Sequence, residues 1–434
     1  MRKTIWSICG GVVLAAITPL AGAAETVDAK LLGILKDNGS ITQAQYDELS
    51  ADLTKEQRQD SREAVTKTDL TEMQQKIAWA ANTVVSGDVR IRQERIQVDD
   101  KSPTSRTQDR QRYRARLAVV SQVTPTVEAG IRVATGNNND ARSTNQDMNN
   151  YFVKKDLWLD RAYINWHPAN VPGLKLIGGR MAQPWVSYAD MIWDNDINPE
   201  GIATQYSRKF GNTNVFGSAG VFTVKDNVTG DGPEFHNDLR LNYAQLGTNL
   251  FPGDDFKVTV GASVFHYYKD AFGVPGAPGS NGNPGLQANG NTSTQFQIYE
   301  AFGQVDVLGL PLPLSVYGQF AHNADANADG VGGQPFQANK DNAWLLGLIT
   351  RFWEVGVNYS YRDIERNAVV GAFTDSDFAS GFTASRGHTL KLTYNIAKNF
   401  QFITTYFLTE SNASNPGFPG SDTNTLLIDL VATF

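Results

Sequence analysis

Residues 424–434 read NTLLIDLVATF, and their alternation decides the fold. Leu426, Ile428, Leu430, Ala432 and Phe434 are apolar, while Thr425, Leu427, Asp429, Val431 and Thr433 between them are mixed. A period of two with one greasy face is a half-buried strand. This one runs to an aromatic carboxyl terminus. A soluble sheet gains nothing from such an ending. In hydrocarbon every backbone group must be paired, so the last strand of a transmembrane barrel has to join the first. The expected fold class is therefore all-β: a transmembrane barrel of about 16 antiparallel strands with short turns at one rim and long loops at the other.

Working back from that strand, residues 83–434 supply the remaining strand candidates, beginning at Val84. Their connections alternate in length. Polar stretches at 99–109, 136–156, 182–200, 225–237, 269–294, 324–341, 365–386 and 411–423 are the long loops. Between them lie turns at 122–125, 168–173, 211–213, 249–255 and 308–313, near Arg351, and at 397–399. A sandwich has no reason for this regularity, whereas a barrel with short periplasmic turns and long outer loops does.

Several strands can be phased. Tyr113, Ala115, Leu117 and Val119 alternate with Arg112, Arg114 and Arg116; Val127, Ala129, Ile131 and Val133 alternate with Glu128, Gly130 and Arg132. Ala162, Ile164 and Trp166 alternate with Arg161, Tyr163 and Asn165, and Leu390, Leu392, Tyr394 and Ile396 with Thr389, Lys391, Thr393 and Asn395. An Arg on the lipid face at the midplane costs about 2–4 kcal/mol, so the arginine sets are expected to point inward. Trp158, Trp166, Trp344 and Trp353 fall near strand ends, where aromatic girdles form.

The N-terminal region differs. Met1, Arg2 and Lys3, an apolar run over residues 5–20 and the small residues Ala21, Gly22 and Ala23 form a secretory signal, so residues 1–23 are expected to be removed. Cys9 is the sole cysteine and lies inside that segment, which leaves no thiol or disulfide chemistry. Losing Arg2 and Lys3 lowers the formal charge by two, from −7 to −9. Mean hydropathy is −0.34 and no later segment reaches the ~18 apolar residues of a membrane helix. Residues 24–82 are expected to be a periplasmic helical or coiled-coil prefix. Val27, Leu31, Leu32 and Leu35 have helical spacing, Gly39 offers a stop, and Thr42 with Gln45 reads as a capping box before Tyr46 and Leu49. A charged stretch covers 53–66, and Thr68 is placed to cap a third helix carrying Leu70, Met73 and Ile77.

The aromatic-ended last strand and the alternating loops resemble Gram-negative outer-membrane porins, in which the terminal Phe, here Phe434, serves as the assembly signal. The third long loop, AQPWVSYADMIWDNDINPE at 182–200, strengthens the resemblance to the general diffusion porins. Their third loop folds into the lumen, carries acids near a Pro-Glu-Phe-Gly motif and faces a ladder of arginines. Here Pro199-Glu200-Gly201 lacks the aromatic. The resemblance implies a constriction made by Asp190, Asp194, Asp196 and Glu200 opposite pore-lining Arg90, Arg92, Arg112, Arg114, Arg116, Arg132, Arg161 and Arg180. A helical prefix also occurs in phosphate-selective porin-like families. Outer-membrane lipid and lipopolysaccharide, the barrel assembly machinery and a homo-oligomer, with a trimer favoured by resemblance, are the partners implied. No nucleic acid is expected.

No catalytic, metal or cofactor residues are assigned. His167, His236, His266, His322 and His388 are scattered without metal-ligand spacing. Asp325, Asn327, Asp329 and Gly330 copy the start of a calcium loop, but Phe336 stands where a bidentate Glu is needed. The expected function is a passive water-filled channel of the outer membrane for small hydrophilic solutes, with a mild anion preference from the clustered arginines. The alternatives are an outer-membrane barrel enzyme, a protease or phospholipase, and a secreted β-rich adhesin or binding protein. Because the helical pattern stops before Thr83, a chain carrying the signal followed directly by residues 83–434 is predicted to form pores in planar bilayers. A folded barrel that conducts nothing after this deletion would make the prefix part of the conduction path.

Overall fold

The last strand closes a ring. In a computed structural model, which describes residues 27–63, 80–100, 105–136, 140–225, 238–253, 255–268, 290–291, 293, 295–326, 340–411 and 420–434, the strands are β1 (Thr83–Asp100), β2 (Ser105–Thr124), β3 (Val127–Ala134), β4 (Gln146–Asp147), β5 (Trp158–Trp166), β6 (Leu174–Arg180), β7 (Glu200–Phe210), β8 (Thr213–Lys225), β9 (Leu239–Gly253), β10 (Phe256–Tyr268), β11 (Gln297–Val307), β12 (Leu314–Asn323), β13 (Asn342–Phe352), β14 (Val355–Ile364), β15 (Ser385–Ala397), β16 (Phe400–Ser411) and β17 (Ser421–Thr433). Each pairs antiparallel with its neighbours, β3 passes directly to β5, and β17 returns to β1. Sixteen of them are therefore staves of one closed barrel. The two-residue β4 pairs with β2 above the point where β3 stops.

Seam register runs from Asp88 opposite Thr433 to Asp100 opposite Ser421. Phe434 completes it: the Gly87 amide donates to the Phe434 carbonyl at 2.9 Å, and the Phe434 amide donates back at 3.0 Å. The Phe434 ring covers Gly87 so closely that a Cβ there would lie 2.7 Å from it and 2.4 Å from the Arg116 carbonyl. Glycine is thus required by space at this position.

Alternation holds around the ring. Val89, Ile91, Ile131, Ile164, Ile202, Leu246, Leu346, Leu390, Leu408 and Leu430 are exposed on the outer face. Strand length does not hold constant. A membrane strand needs about 9–11 residues, yet β1 and β2 have 18 and 20, and β3, β5 and β6 have only 8, 9 and 7. The expected loop at 99–109 is mostly strand, because Asp99 pairs with Ser105. Beyond the membrane both faces of a hairpin meet water, so the apolar alternation that reveals a strand disappears. The turns and the loops around 136–156 and 182–200 fall close to their expected places, while most of the loops expected at 225–237, 269–294, 324–341 and 411–423 lies outside the described residues. Trp158 and Trp166 begin and end β5, Trp344 lies near the start of β13 and Trp353 in the turn after it, all exposed.

The chain divides into units Met1–Ala78 and Trp79–Phe434. In the first, α1 (Val27–Asp37) ends at Gly39, whose φ of +74° suits glycine. α2 (Gln43–Glu63) opens on the expected capping box: Thr42 N donates to Gln45 Oε1 at 2.9 Å, and Gln45 N to Thr42 Oγ1 at 3.3 Å. The helix continues through the charged stretch to Glu63. The signal segment and the third helix expected after Thr68 lie outside the described residues. Deleting Phe434, or changing Gly87 to Leu, is predicted to reduce the heat-modifiable barrel recovered in outer membranes. Wild-type recovery of both variants would show that this end of the seam is dispensable.

Candidate functional site

The lumen is lined by the inward parity of the staves. On β1 these residues are Asp88, Arg90, Arg92 and Glu94; on β2 they are Arg116, Arg114, Arg112 and Arg110, opposite them in that order. Arg90 faces Arg114 and Arg92 faces Arg112, and like charges directly opposite repel. Carboxylates resolve this. Asp88 accepts from Arg114 at 2.7 Å and Arg116 at 2.6 Å. Glu94 is shared by Arg110 and Arg112, and Arg112 also meets Asp147 of β4 at 2.7 Å. On the next staves Arg132 pairs with Asp160. Arg92 is buried and forks onto Asp429 of β17 at 2.7 and 2.9 Å, with Asp377 at 2.9 Å on its third nitrogen.

Two of the expected arginines have no ion pair among the described residues. Arg90 donates to the Asn145 side chain, and Arg161 to Asn198 Oδ1 at 2.7 Å. Most of the charge on the inward arginines between Arg90 and Arg161 is thus neutralised locally. Asp88, Asp147, Asp160, Asp377 and Asp429 were not among the expected site residues, although Asp88 shares the parity of Arg90 and Arg92, and Asp429 sits in the mixed set of the last strand. Arg180 departs from the expectation. It stands opposite Ala162 and Glu200, on the outward parity that Ala162 shares with Ile164. Arg180 and Glu200 pair with each other there, so neither lines the lumen.

The loop at 181–199 enters the lumen. Trp185, Met191, Ile192, Trp193 and Ile197 are buried against Phe222, Leu241, Tyr243, Phe265, Tyr267, Ile298 and Leu345, the inward residues of β8–β11 and β13. Trp185 packs at 4.9 Å from Tyr243 and 5.3 Å from Phe265, and Trp193 stacks at 5.3 Å on Phe373. Full burial of each large apolar side chain contributes about 1.5–3 kcal/mol. Gln245 of β9 adds a polar pin, accepting from Val186 N at 2.8 Å and donating to Val186 O at 3.0 Å. An apolar patch of the inner wall is thereby covered by the apolar side chains of the loop.

The acids of this loop do different things. Asp196 meets the ladder, lying 3.3 Å from Arg116, and it accepts from Thr144 N at 3.1 Å. Asp194 is buried and accepts from the amides of Asp196 and Ser376 at 2.9 and 3.1 Å, which makes it a brace between loops. Asp190 borders the open lumen. Burial and the neighbouring Asp375 carboxylate push Asp190 up to about 7. Burial with Asp190 and Asp196 alongside also raises Asp194.

A second loop, 365–384, also folds inward, where an outer loop was expected. Ala368, Val369, Val370 and Phe373 join the same apolar cluster, and Phe378 packs with Phe407 and Leu427 of β16 and β17. Against the opposing effect of burial, Arg92 holds the Asp377 carboxyl below its ordinary value. The signal was the apolar run AVVGAF at 368–373, which no water-exposed loop needs. What remains open is a cavity of about 580 Å³ bordered by Arg90, Arg114, Asp190, Asp196, Arg362 and Lys391. A second of about 450 Å³ lies on the other side of loop 181–199, beside Lys175, Tyr188, Gln205 and Gln304.

Comparisons agree with this architecture. A family model described as "Putative porin" matches residues 96–281 and 280–434. Pseudomonas putida OprB, in a structure at high pH, aligns with 84% of this chain and 97% of its own at 11% identity and a TM-score of 0.53, which shows a shared barrel fold. A triple mutant of Rhodopseudomonas blastica porin aligns over 81% of this chain and all of its own, 11% identical, TM-score 0.44. Salmonella typhi OmpF in complex with daunomycin aligns over 80% and 97%, 11% identical, TM-score 0.45. Among curated proteins none matches the chain significantly.

The two classes of lumen arginine separate experimentally. Arg92→Gln leaves the buried Asp429 and the half-buried Asp377 without their ion-pair partner and is predicted to cost about 3–5 kcal/mol, read as a lower unfolding temperature on heated gels. Arg90→Gln removes a cation that has no ion pair among the described residues and is predicted to leave that temperature near wild type while shifting the reversal potential. Equal destabilisation by both changes would refute the division.

Proposed function

We propose a selectivity for the lumen of this chain, which belongs to the putative porin family. It is a channel of the outer membrane for the passive diffusion of small hydrophilic solutes. Selection in such a pore comes from size, field and loop geometry. The observation that carries the selectivity is the pattern of pairing. Asp88 is shared by Arg114 and Arg116 and Glu94 by Arg110 and Arg112, Asp147, Asp160 and Asp429 each meet one arginine, and Arg90 and Arg161 have no ion pair among the described residues. These two arginines, with Lys391 bordering the same cavity as Arg90, attract small anions, and the preference is mild because the other lumen arginines are paired with carboxylates.

Asp190 and Asp196 on loop 181–199 set an opposing charge across the opening, with Asp196 held against Arg116. We read Asp194 as scaffold and assign Arg180 and Glu200 no part in conduction. The paired lumen side chains bind and orient one another rather than a nucleophile, so transport without chemistry is the reading we favour. A cleaved leader at 1–23, a periplasmic role for 24–82 and assembly as a homotrimer complete the proposal.

Asp190 makes the selectivity pH-dependent. With its carboxyl up at about 7, the opening gains a negative charge between pH 6 and pH 8. Anion preference is therefore predicted to be greater at pH 6, measured as reversal potential across a KCl gradient. It should fade as ionic strength rises, because the Debye length falls from about 10 Å at 0.1 M to about 3 Å at 1 M. Changing Arg90 and Arg161 together to Gln should move the potential toward cations. A cation-selective wild type at pH 6 would overturn the assignment.

A further inference from the structure

Arg362 borders the open cavity and is at the same time one of the most buried side chains of the barrel, 2% exposed. It stands on the inward parity of β14, opposite Leu345 and Gly387. Its flat guanidinium contacts both inward loops at once. Nη1 donates to the Ala189 carbonyl of loop 181–199 at 2.9 Å. Nη2 meets the Asp375 carboxylate of loop 365–384. The face of the group lies 3.6 Å from the centre of the Phe378 ring, on that same second loop.

The backbone that Arg362 grips is held against its own preference. Ala189 and Asp190 are consecutive residues with φ of +48° and +55°, a region non-glycine residues seldom enter unless their surroundings hold them there. The two loops are also stitched together beside the grip. Asp194 N donates to Phe373 O at 2.7 Å, Asp375 N to Asp190 O at 3.1 Å, and the Thr374 hydroxyl to Met191 O at 2.8 Å. The result is a short strip in which one loop runs along the other. Asp190, the acid that borders the opening, projects from this strip.

We propose that loop 365–384 is a second constriction element and that Arg362 is the positioning residue that fixes the aperture, by clasping this loop and loop 181–199 to the wall at β14. The inference rests on the channel reading above and adds what sets the width. Three properties of arginine are used together: the fork reaches two acceptors, the charge matches Asp375, and the plane stacks on Phe378. Lysine keeps the charge but lacks the planar fork. Without the clasp, the strained turn at Ala189 and Asp190 relaxes and the loop strip moves off the wall, so the opening widens.

The test uses the full-length protein in planar bilayers, with fold checked by heat-modifiable mobility. Arg362→Gln is expected to raise single-channel conductance about twofold, since conductance follows the open cross-section, and to admit larger polyethylene glycols than wild type. Arg362→Lys is expected to fall between the two. A loss of packing elsewhere would lower the unfolding temperature without this graded change in polymer cut-off. Should Arg362→Gln fail to fold, Asp375→Asn decides: it removes the charge pair, leaves the wall intact, and is expected to widen the pore in the same direction. Wild-type conductance and cut-off in a folded Arg362→Gln or Asp375→Asn barrel would overturn the proposal. A wild type that conducts nothing would sink the channel reading itself, and this inference with it.

Discussion

A sheet in hydrocarbon cannot leave an edge unpaired, since each lone N–H or C=O there costs several kcal/mol. Everything else in this barrel follows from that constraint. It forces β17 back onto β1, and the ladder that joins them is continuous to the last residue, where Phe434 and Gly87 exchange two hydrogen bonds. Closure in turn fixes which parity faces inward on every stave, because a slip of one residue would exchange the two faces. Arg90 and Arg92 point into the lumen for the same reason that Val89 and Ile91 point into lipid.

Closure also creates an interior wider than side chains alone can fill, and the chain fills it by two different means. At the long-loop ends of β8–β13 the inner wall carries an apolar patch, and the loop carrying Trp185 and Trp193 packs onto it as a core would. Along β1–β5 the inner wall is charged, and the most deeply buried of these charges meet their opposites. Arg92 with Asp429 and Asp377, and Asp88 with two arginines, are the outcome. The open path is left between these two regimes, a consequence of where packing and pairing stop.

Much of this was legible in the sequence because it repeats. Alternation with period two, connections of alternating length and an apolar final strand are statistical features spread over hundreds of residues, and they carry the barrel, its strand number and the inward parity of the arginines. The capping box at Thr42 and Gln45 was legible because it is local. What escaped was the partner of each charge. Asp429 is visible in the closing strand, but nothing local says that it meets Arg92. Loop 365–384 escaped for a related reason: a Gly- and Ser-containing segment between strands reads as surface, and only its apolar run hints that it is covered. Arg180 was misplaced because a basic residue at a strand end has the same appearance whether it faces the lumen or the headgroup region, where long basic side chains are also accommodated.

The pairing of Arg92 has a consequence for the order of events in folding. Its two acid partners lie 337 and 285 residues further along the chain. Contacts of such separation form late, after the intervening loop entropy has been overcome. Until β17 and loop 365–384 arrive, Arg92 is an ion without a counter-ion inside a forming cavity, and it favours open, hydrated intermediates over partly closed dry ones. The same guanidinium that stabilises the finished barrel thus acts against premature closure, and the first and last strands are joined by a charge that only the complete chain can neutralise.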